Sequence, residues 1–220
     1  MGIVLKYAII NIRGDLMINY LFSQIDEEKG LNENQLEYLS KDLKGGEKLV
    51  FIASDPEGYE KSDEKLESYL ERFKKSGFVF KKSLVIDKRM DKELAKKEVK
   101  DADIIFLMGG DPYSEMEFIK EYGLVDLLKQ KKFIMGVSAG AMIQAPRVVY
   151  RDEFNNDIIR DFKGLNLVDI YIFPHVDYDA ILEESKEMNE IYPNTPLLNS
   201  EFVRVENGNI EIVKENTVRK

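Results

Sequence analysis

The chain has no cysteine, no tryptophan and a single histidine in 220 residues. Without cysteine there can be no disulfide, no thiolate metal site and no thiol nucleophile. One imidazole and scattered carboxylates make no convincing metal-ligand set, so neither a metal nor another cofactor is expected. Positive charge is also short. Against 41 Asp and Glu stand 32 Lys and Arg, a net charge of -9. That is the wrong sign for gripping a nucleic-acid backbone or an anionic bilayer, so neither is expected as a partner. Long apolar runs are missing too. The longest uncharged stretch, residues 133–146, is too short to span a membrane and is broken by glycines. Residues 1–10 are apolar but carry Lys6, with no basic region before them and no cleavage pattern after. Lys6 also stands where a myristoylation signal wants Ser or Thr. A cytoplasmic protein is the expectation.

What is present reads as an ordinary globular chain, 44% hydrophobic and 33% charged, with no repeat, low-complexity tract or linker. A single domain over residues 1–220 is expected. Apolar segments alternate with amphipathic ones, the pattern of βαβ units on a parallel sheet. Strands are predicted at 7–12, 49–53, 78–86, 104–108 and 133–137. Leu66, Tyr69, Leu70 and Phe73 fall at helical spacing, with Gly77 as a stop. Met116, Ile119, Leu124, Leu127 and Leu128 predict a further helix, kinked at Gly123. A third helix runs over about 180–191, closed by Pro193. Near the C-terminus two alternating segments flank Asn207-Gly208, a strong hairpin signal.

The chemistry concentrates around Gly136-Val137-Ser138-Ala139-Gly140, at the end of the run Phe133-Ile134-Met135. A Gly-x-Ser-x-Gly between strand and helix forces a serine hydroxyl onto a tight turn within reach of a base and a substrate carbonyl. The bland alternative is a glycine-rich turn whose serine caps the helix. A serine needs a base, and only His175 can supply an imidazole. It closes a second apolar run, Ile170-Tyr171-Ile172-Phe173-Pro174, and so also sits at a predicted strand end, 37 residues after Ser138. After residues 104–108 comes Gly109-Gly110-Asp111-Pro112, a turn whose backbone can approach a ligand. Gly110 and Ala139 N–H are the candidate oxyanion donors. A phosphate cradle is the weaker reading of that turn, lacking a Lys-Ser/Thr pair and carrying Asp111. The group that would orient the imidazole stays open among Asp152, Glu153, Asp157, Asp177, Asp179 and Glu201.

At Gly109-Gly110, the elbow around Ser138 and Phe173-Pro174-His175, the sequence resembles the peptidase E family of serine peptidases, which includes aspartyl dipeptidase and, more distantly, cyanophycinase. The likeness runs from about Lys48 to Val213. It implies a three-layer α/β fold with a mostly parallel, doubly wound sheet, like class I glutamine amidotransferases and flavodoxin-like in outline, and here a C-terminal β-hairpin. It implies Ser138 as nucleophile, His175 as base, and Gly110 with Ala139 as oxyanion donors. The family's acid falls by spacing on Glu153, with Asp152 adjacent. A second place for it lies near Asn199 and Glu201, Glu201 being the alternative acid. Asp111 replaces the Asn usual after the two glycines. The first strand, at residues 9–13, lacks a Ser/Thr-rich end. The family's substrate-carboxylate arginine would fall near Asn189, where there is none, so an Asp-X preference is not implied. The expected function is hydrolysis of a short peptide or small amide by a serine-type site, with homo-oligomerisation left open. A non-catalytic relative that binds a ligand or partner is the competing reading. An α/β-hydrolase esterase is the third, although that fold normally separates its serine and histidine by more residues.

Overall fold

The structure, a computed structural model, describes residues 16–152 and 155–214. The elements begin with β1 (Ile18–Phe22), α1 (Glu33–Asp42), β2 (Lys48–Ile52), α2 (Tyr59–Lys75), β3 (Lys82–Ile86) and α3 (Lys92–Asp101). Next come β4 (Ile104–Leu107), α4 (Pro112–Glu121), α5 (Val125–Leu128), β5 (Phe133–Val137) and α6 (Ala139–Met142). The chain continues with β6 (Arg147–Asp152), β7 (Asn155–Lys163), β8 (Ile172–Phe173) and α7 (Asp179–Ile191). It ends with β9 (Thr195–Pro196), β10 (Phe202–Glu206) and β11 (Asn209–Val213).

Seven strands form the main sheet in the order β11-β10-β1-β5-β4-β2-β3. The run from β1 to β3 is parallel, and β10 and β11 join antiparallel at the β1 side. Every residue of β1, β2, β4 and β5 is buried. That is why these strands read as continuous apolar runs rather than alternating ones. The pleat nevertheless divides them. Leu49, Phe51, Ile104, Phe106 and Met135 face a cluster with Leu39 of α1 and Tyr69 and Phe73 of α2. Val50, Ile52, Ile105, Leu107 and Ile134 face the opposite cluster, with Val99 of α3 and Met116 and Ile119 of α4. Helices thus cover both faces, the expected α/β architecture.

Several sequence expectations meet corrections. The strand predicted at 7–12 lies outside the described residues. The first described strand is β1, and it is followed by Ser23, so its end does carry a hydroxyl. Only 82–86 of the segment 78–86 is strand. Phe78 and Phe80 instead lie in the loop after α2 and pack against its cluster, Phe80 edge-on to Phe73 at 5.5 Å. At Gly123 the helix breaks rather than kinks. Gly123 takes φ 67° and separates α4 from α5. The apolar run 170–174 supplies only the two-residue β8, which pairs with β9 outside the main sheet. The hairpin β6–β7 is an addition to the predicted elements: β6 buries Val148, Val149 and Tyr150 in the core, and charges pair across the strands, including Arg147 to Asp161 at 2.6 Å. At the C-terminus Asn207 (φ 50°) and Gly208 (φ 80°) both take the left-handed conformation, the turn that Asn-Gly favours between antiparallel strands.

The turn after β5 is packed without spare volume. A Cβ on Gly136 would lie 2.3 Å from the Gly140 carbonyl oxygen, and one on Gly140 would lie 2.2 Å from that of Leu107. Backbone meets backbone at both points, so neither neighbour can rotate aside. Gly140→Ala should therefore destabilise the protein by about 2 kcal/mol or more. Urea denaturation would read this as a lower midpoint at unchanged slope, and an unaltered midpoint would contradict the close packing.

Candidate active site

β1, β5, β4 and β2 are neighbours, and their carboxyl ends deliver Ser23, Ser138, Gly109-Gly110 and Ser54 to one edge of the sheet. The carboxyl edge of an open parallel sheet is where α/β proteins build their sites. Ser138 itself carries the backbone strain, at φ 51° and ψ -115°. Such a conformation costs on the order of 1–3 kcal/mol for a residue with a side chain. It is held by the Ser138 N–H donating to the Phe22 carbonyl at 2.9 Å, while the Ser138 carbonyl accepts from Ala141 and Met142 N–H at 3.0 Å. The flanking glycines serve close packing; the unusual torsion belongs to the serine.

His175 reaches the same edge from β8. It follows Pro174 and has φ 64°. Its backbone N–H donates to Ser23 Oγ at 2.9 Å, and Ser23 Oγ donates to the Leu197 carbonyl at 3.3 Å. The ring lies between two partners: Nε2 is 2.9 Å from Ser138 Oγ, and Nδ1 is 2.7 Å from Asn199 Oδ1. An amide oxygen only accepts, so Nδ1 carries the hydrogen and the Nε2 lone pair faces the hydroxyl. A proton can pass from Ser138 to the ring in this arrangement. Asn199 is anchored through its backbone N–H, which donates to the Asp177 carboxylate.

Among the described residues, none of the carboxylates expected beside the ring bonds to it. Glu153 lies outside the described residues, and so does the side chain of Asp157. Asp152 pairs with Arg160 at 2.6 Å. Asp179 opens α7. Glu201 is buried and its Oε2 accepts from Leu198 N–H at 2.9 Å. The reason is a tight turn closed by Glu201 N–H on the Leu198 carbonyl. It folds the Glu201 carboxylate back onto its own loop and turns Asn199 toward the imidazole. Of the second family position near Asn199 and Glu201, it is Asn199 that lies against the ring.

Gly110 has φ 147°, a conformation that side chains resist. Its N–H and that of Ala139 make no hydrogen bond among the described residues. Asp111 does not turn its charge on this pair. Its carboxylate caps α4, accepting from Tyr113 N–H at 3.2 Å and Ser114 N–H at 3.1 Å, and from Tyr150 Oη at 2.6 Å. Burial, reinforced by that carboxylate, pushes the Tyr150 phenol well up, so it stays a donor. Two clefts meet at Ser138, His175 and Gly110. One, about 410 Å³, is walled by Lys65, Tyr69 and Arg72. The other, about 110 Å³, is walled by Met142, Phe173 and Ile181 with Arg151 and Glu184. Among the described residues no group of three or more acidic or histidine side chains could hold a metal ion, and no helix is long and apolar enough to cross a membrane.

Comparison with known proteins adds a family. Residues 21–213 match the family model of peptidase family S51. An uncharacterized peptidase of Pasteurella multocida is 32% identical over 136 residues, or 56% of this chain and 63% of that protein. The chain thus spans under two thirds of that relative's length. A 1.5 Å crystal structure from Listeria monocytogenes that bears the name peptidase E superposes with a TM-score of 0.71 at 18% identity, covering 91% of this chain and all of the other. A peptidase from an acI-B1 Actinobacterium gives 0.64 at 15% identity over 91% and 88% of the two chains. These two likenesses concern the fold.

Replacing Asp111 removes a helix cap and leaves Tyr150 Oη without its acceptor. Asp111→Ala should cost about 1–2 kcal/mol in chemical denaturation. Loss of less than a few tenths would mean the cap does not hold α4.

Proposed function

The chain belongs to peptidase family S51, and from that premise we propose that it hydrolyses short peptides or small amides with Ser138 as nucleophile and His175 as base. The observation that carries the reading is the 2.9 Å contact between Ser138 Oγ and His175 Nε2 at the carboxyl edge of the sheet. Ser138 Oγ attacks the scissile carbonyl carbon as Nε2 takes its proton, and the carbonyl oxygen becomes an oxyanion. Gly110 and Ala139 N–H stabilise that oxyanion. Collapse breaks the C–N bond, and the imidazolium returns the proton to the leaving amine. Water, deprotonated by the same ring, then attacks the acyl ester and restores the serine. The clefts on either side of Ser138 provide room for substrate residues flanking the bond.

Asn199 is a positioning residue in this scheme. Its oxygen holds Nδ1–H and thereby fixes the tautomer that keeps Nε2 basic. Unlike a carboxylate, it lends no charge to the imidazolium, so the base works by orientation and without ion pairing. The oligomeric state does not enter the scheme, and a ligand-binding relative without catalysis is what the first test below would reveal.

A fluorophosphonate probe should label the wild-type protein and leave Ser138→Ala unlabelled. His175→Ala should keep its circular dichroism spectrum and lose most turnover, and near-normal rates in that variant would remove His175 from the role of base. Asn199→Asp should displace the acid limb of the kcat/KM profile to higher pH, by on the order of one unit. A carboxylate at Nδ1 favours the charged ring, and only the neutral ring accepts the serine proton. An identical limb in both proteins would show that Asn199 does not touch the ring in solution.

A further inference from the structure

Ser54 and Lys65 converge on one carbonyl oxygen. Ser54 Oγ donates to Gly109 O at 2.6 Å, and Lys65 Nζ donates to the same oxygen at 2.6 Å. Ser54 is buried two residues past the end of β2, and Lys65 is half-buried on α2. No cis peptide occurs among the described residues. In a trans peptide the C=O and the following N–H point in opposite directions. The peptide that presents its oxygen to Ser54 and Lys65 therefore aims its hydrogen, the Gly110 N–H, the other way. That N–H has no partner among the described residues, and Gly110 and Ser138 line the same two clefts.

We propose that Ser54 and Lys65 form a positioning and polarising pair for the Gly110 oxyanion donor, acting through the Gly109 carbonyl. Two hydrogen bonds fix the plane of the Gly109–Gly110 peptide, so its N–H needs no reorganisation when the oxyanion forms. The ammonium also draws electron density toward the carbonyl oxygen, which makes the N–H at the other end of the amide a stronger donor. Its positive charge lies on the site side of α2 and favours the developing negative oxygen at longer range. The requirement for glycine at 110 belongs to the same device. A Cβ there would sit 2.2 Å from Ser54 Oγ, and φ 147° excludes most side chains.

Two carboxyl groups lie close to this turn. Asp111 spends its oxygens on the start of α4 and on Tyr150. Glu115 is fully buried, and neither of its oxygens has a hydrogen-bonding partner among the described residues. Burial pushes its carboxyl well above the usual carboxylate range, and Lys65 opposes that shift. Tyr69, which lies one helical turn further along α2, lines the same cleft.

This inference rests on the reading of Gly110 as an oxyanion donor, and the experiment separates the two. Steady-state kinetics on an accepted peptide, together with inhibition by a peptide aldehyde whose bound form carries the oxyanion, would be measured for wild type, Lys65→Met, Lys65→Arg and Ser54→Ala. Lys65→Met should lower kcat about tenfold to a hundredfold with KM within twofold, and weaken the aldehyde by a similar factor. Lys65→Arg should recover part of the loss, because a cation again faces Gly109 O. Ser54→Ala should act in the same direction by a smaller factor, and it preserves a test should Lys65→Met not fold. Unchanged kcat and aldehyde affinity in both Lys65→Met and Ser54→Ala, with wild type still labelled by fluorophosphonate at Ser138, would overturn the pair while leaving the serine site standing. A rise in KM alone would also overturn it and would make Lys65 a substrate-binding group. Absence of labelling in wild type would overturn the site and this inference together.

Discussion

The constraint on which the site depends is the contact of α6 with β4 and β5 at backbone distance. With no room for a Cβ at Gly136 or Gly140, the chain leaving β5 must turn at once, and the residue between the two glycines takes the torsion that the turn requires. Ser138 is that residue. Its strained backbone is balanced by three backbone hydrogen bonds, to Phe22, Ala141 and Met142, so the hydroxyl has a fixed position before any substrate arrives. A site whose geometry is held by packed backbone needs little reorganisation during reaction, which is the main source of electrostatic catalysis.

Around this turn, each neighbouring strand end adds one polar group. β1 contributes Ser23, which holds the backbone of His175; β2 contributes Ser54; β4 contributes the glycine pair. None of these groups is unusual in chemistry. Their effect comes from the parallel register, which brings four carboxyl ends side by side. The histidine arrives from outside the main sheet, on the short β8, and its two ring contacts are both to neutral side chains. Among the described residues the group at Nδ1 is an amide, so the imidazole is oriented there by a hydrogen bond to a neutral oxygen. Asp177 stands one residue further back, bonded to the Asn199 backbone, and stiffens the loop instead of facing the ring.

Much of the fold was legible in the chain. β2, β4 and β5 are continuous apolar runs because helices cover both of their faces. α2 and α7 show helical spacing because one side of each is buried. The C-terminal hairpin follows from Asn207-Gly208, which can take the two left-handed torsions that few residue pairs tolerate. Elements that bury little apolar surface left weaker traces. α1 and α3 are short and mostly polar, and Phe78 and Phe80 look like strand residues although they only seal the edge of a cluster. β1 was overlooked in favour of the apolar segment upstream of it, although 18–22 is apolar enough and ends in a serine.

The pentapeptide around Ser138, the lone His175 and the glycine pair were legible in the sequence alone, as a Gly-x-Ser-x-Gly motif, the one imidazole of the chain and a glycine turn after an apolar run. The neighbour of the imidazole was decided by the tertiary structure. Asn199 and Glu201 are two residues apart, and only the turn at Leu198 decides which of them faces the ring. The same holds for Ser54 and Lys65. They lie 55 and 44 positions before Gly109 in the sequence, and they carry no motif. Hydrogen bonds between strand ends and a crossover helix follow from chain path and register, which no local pattern of residues encodes.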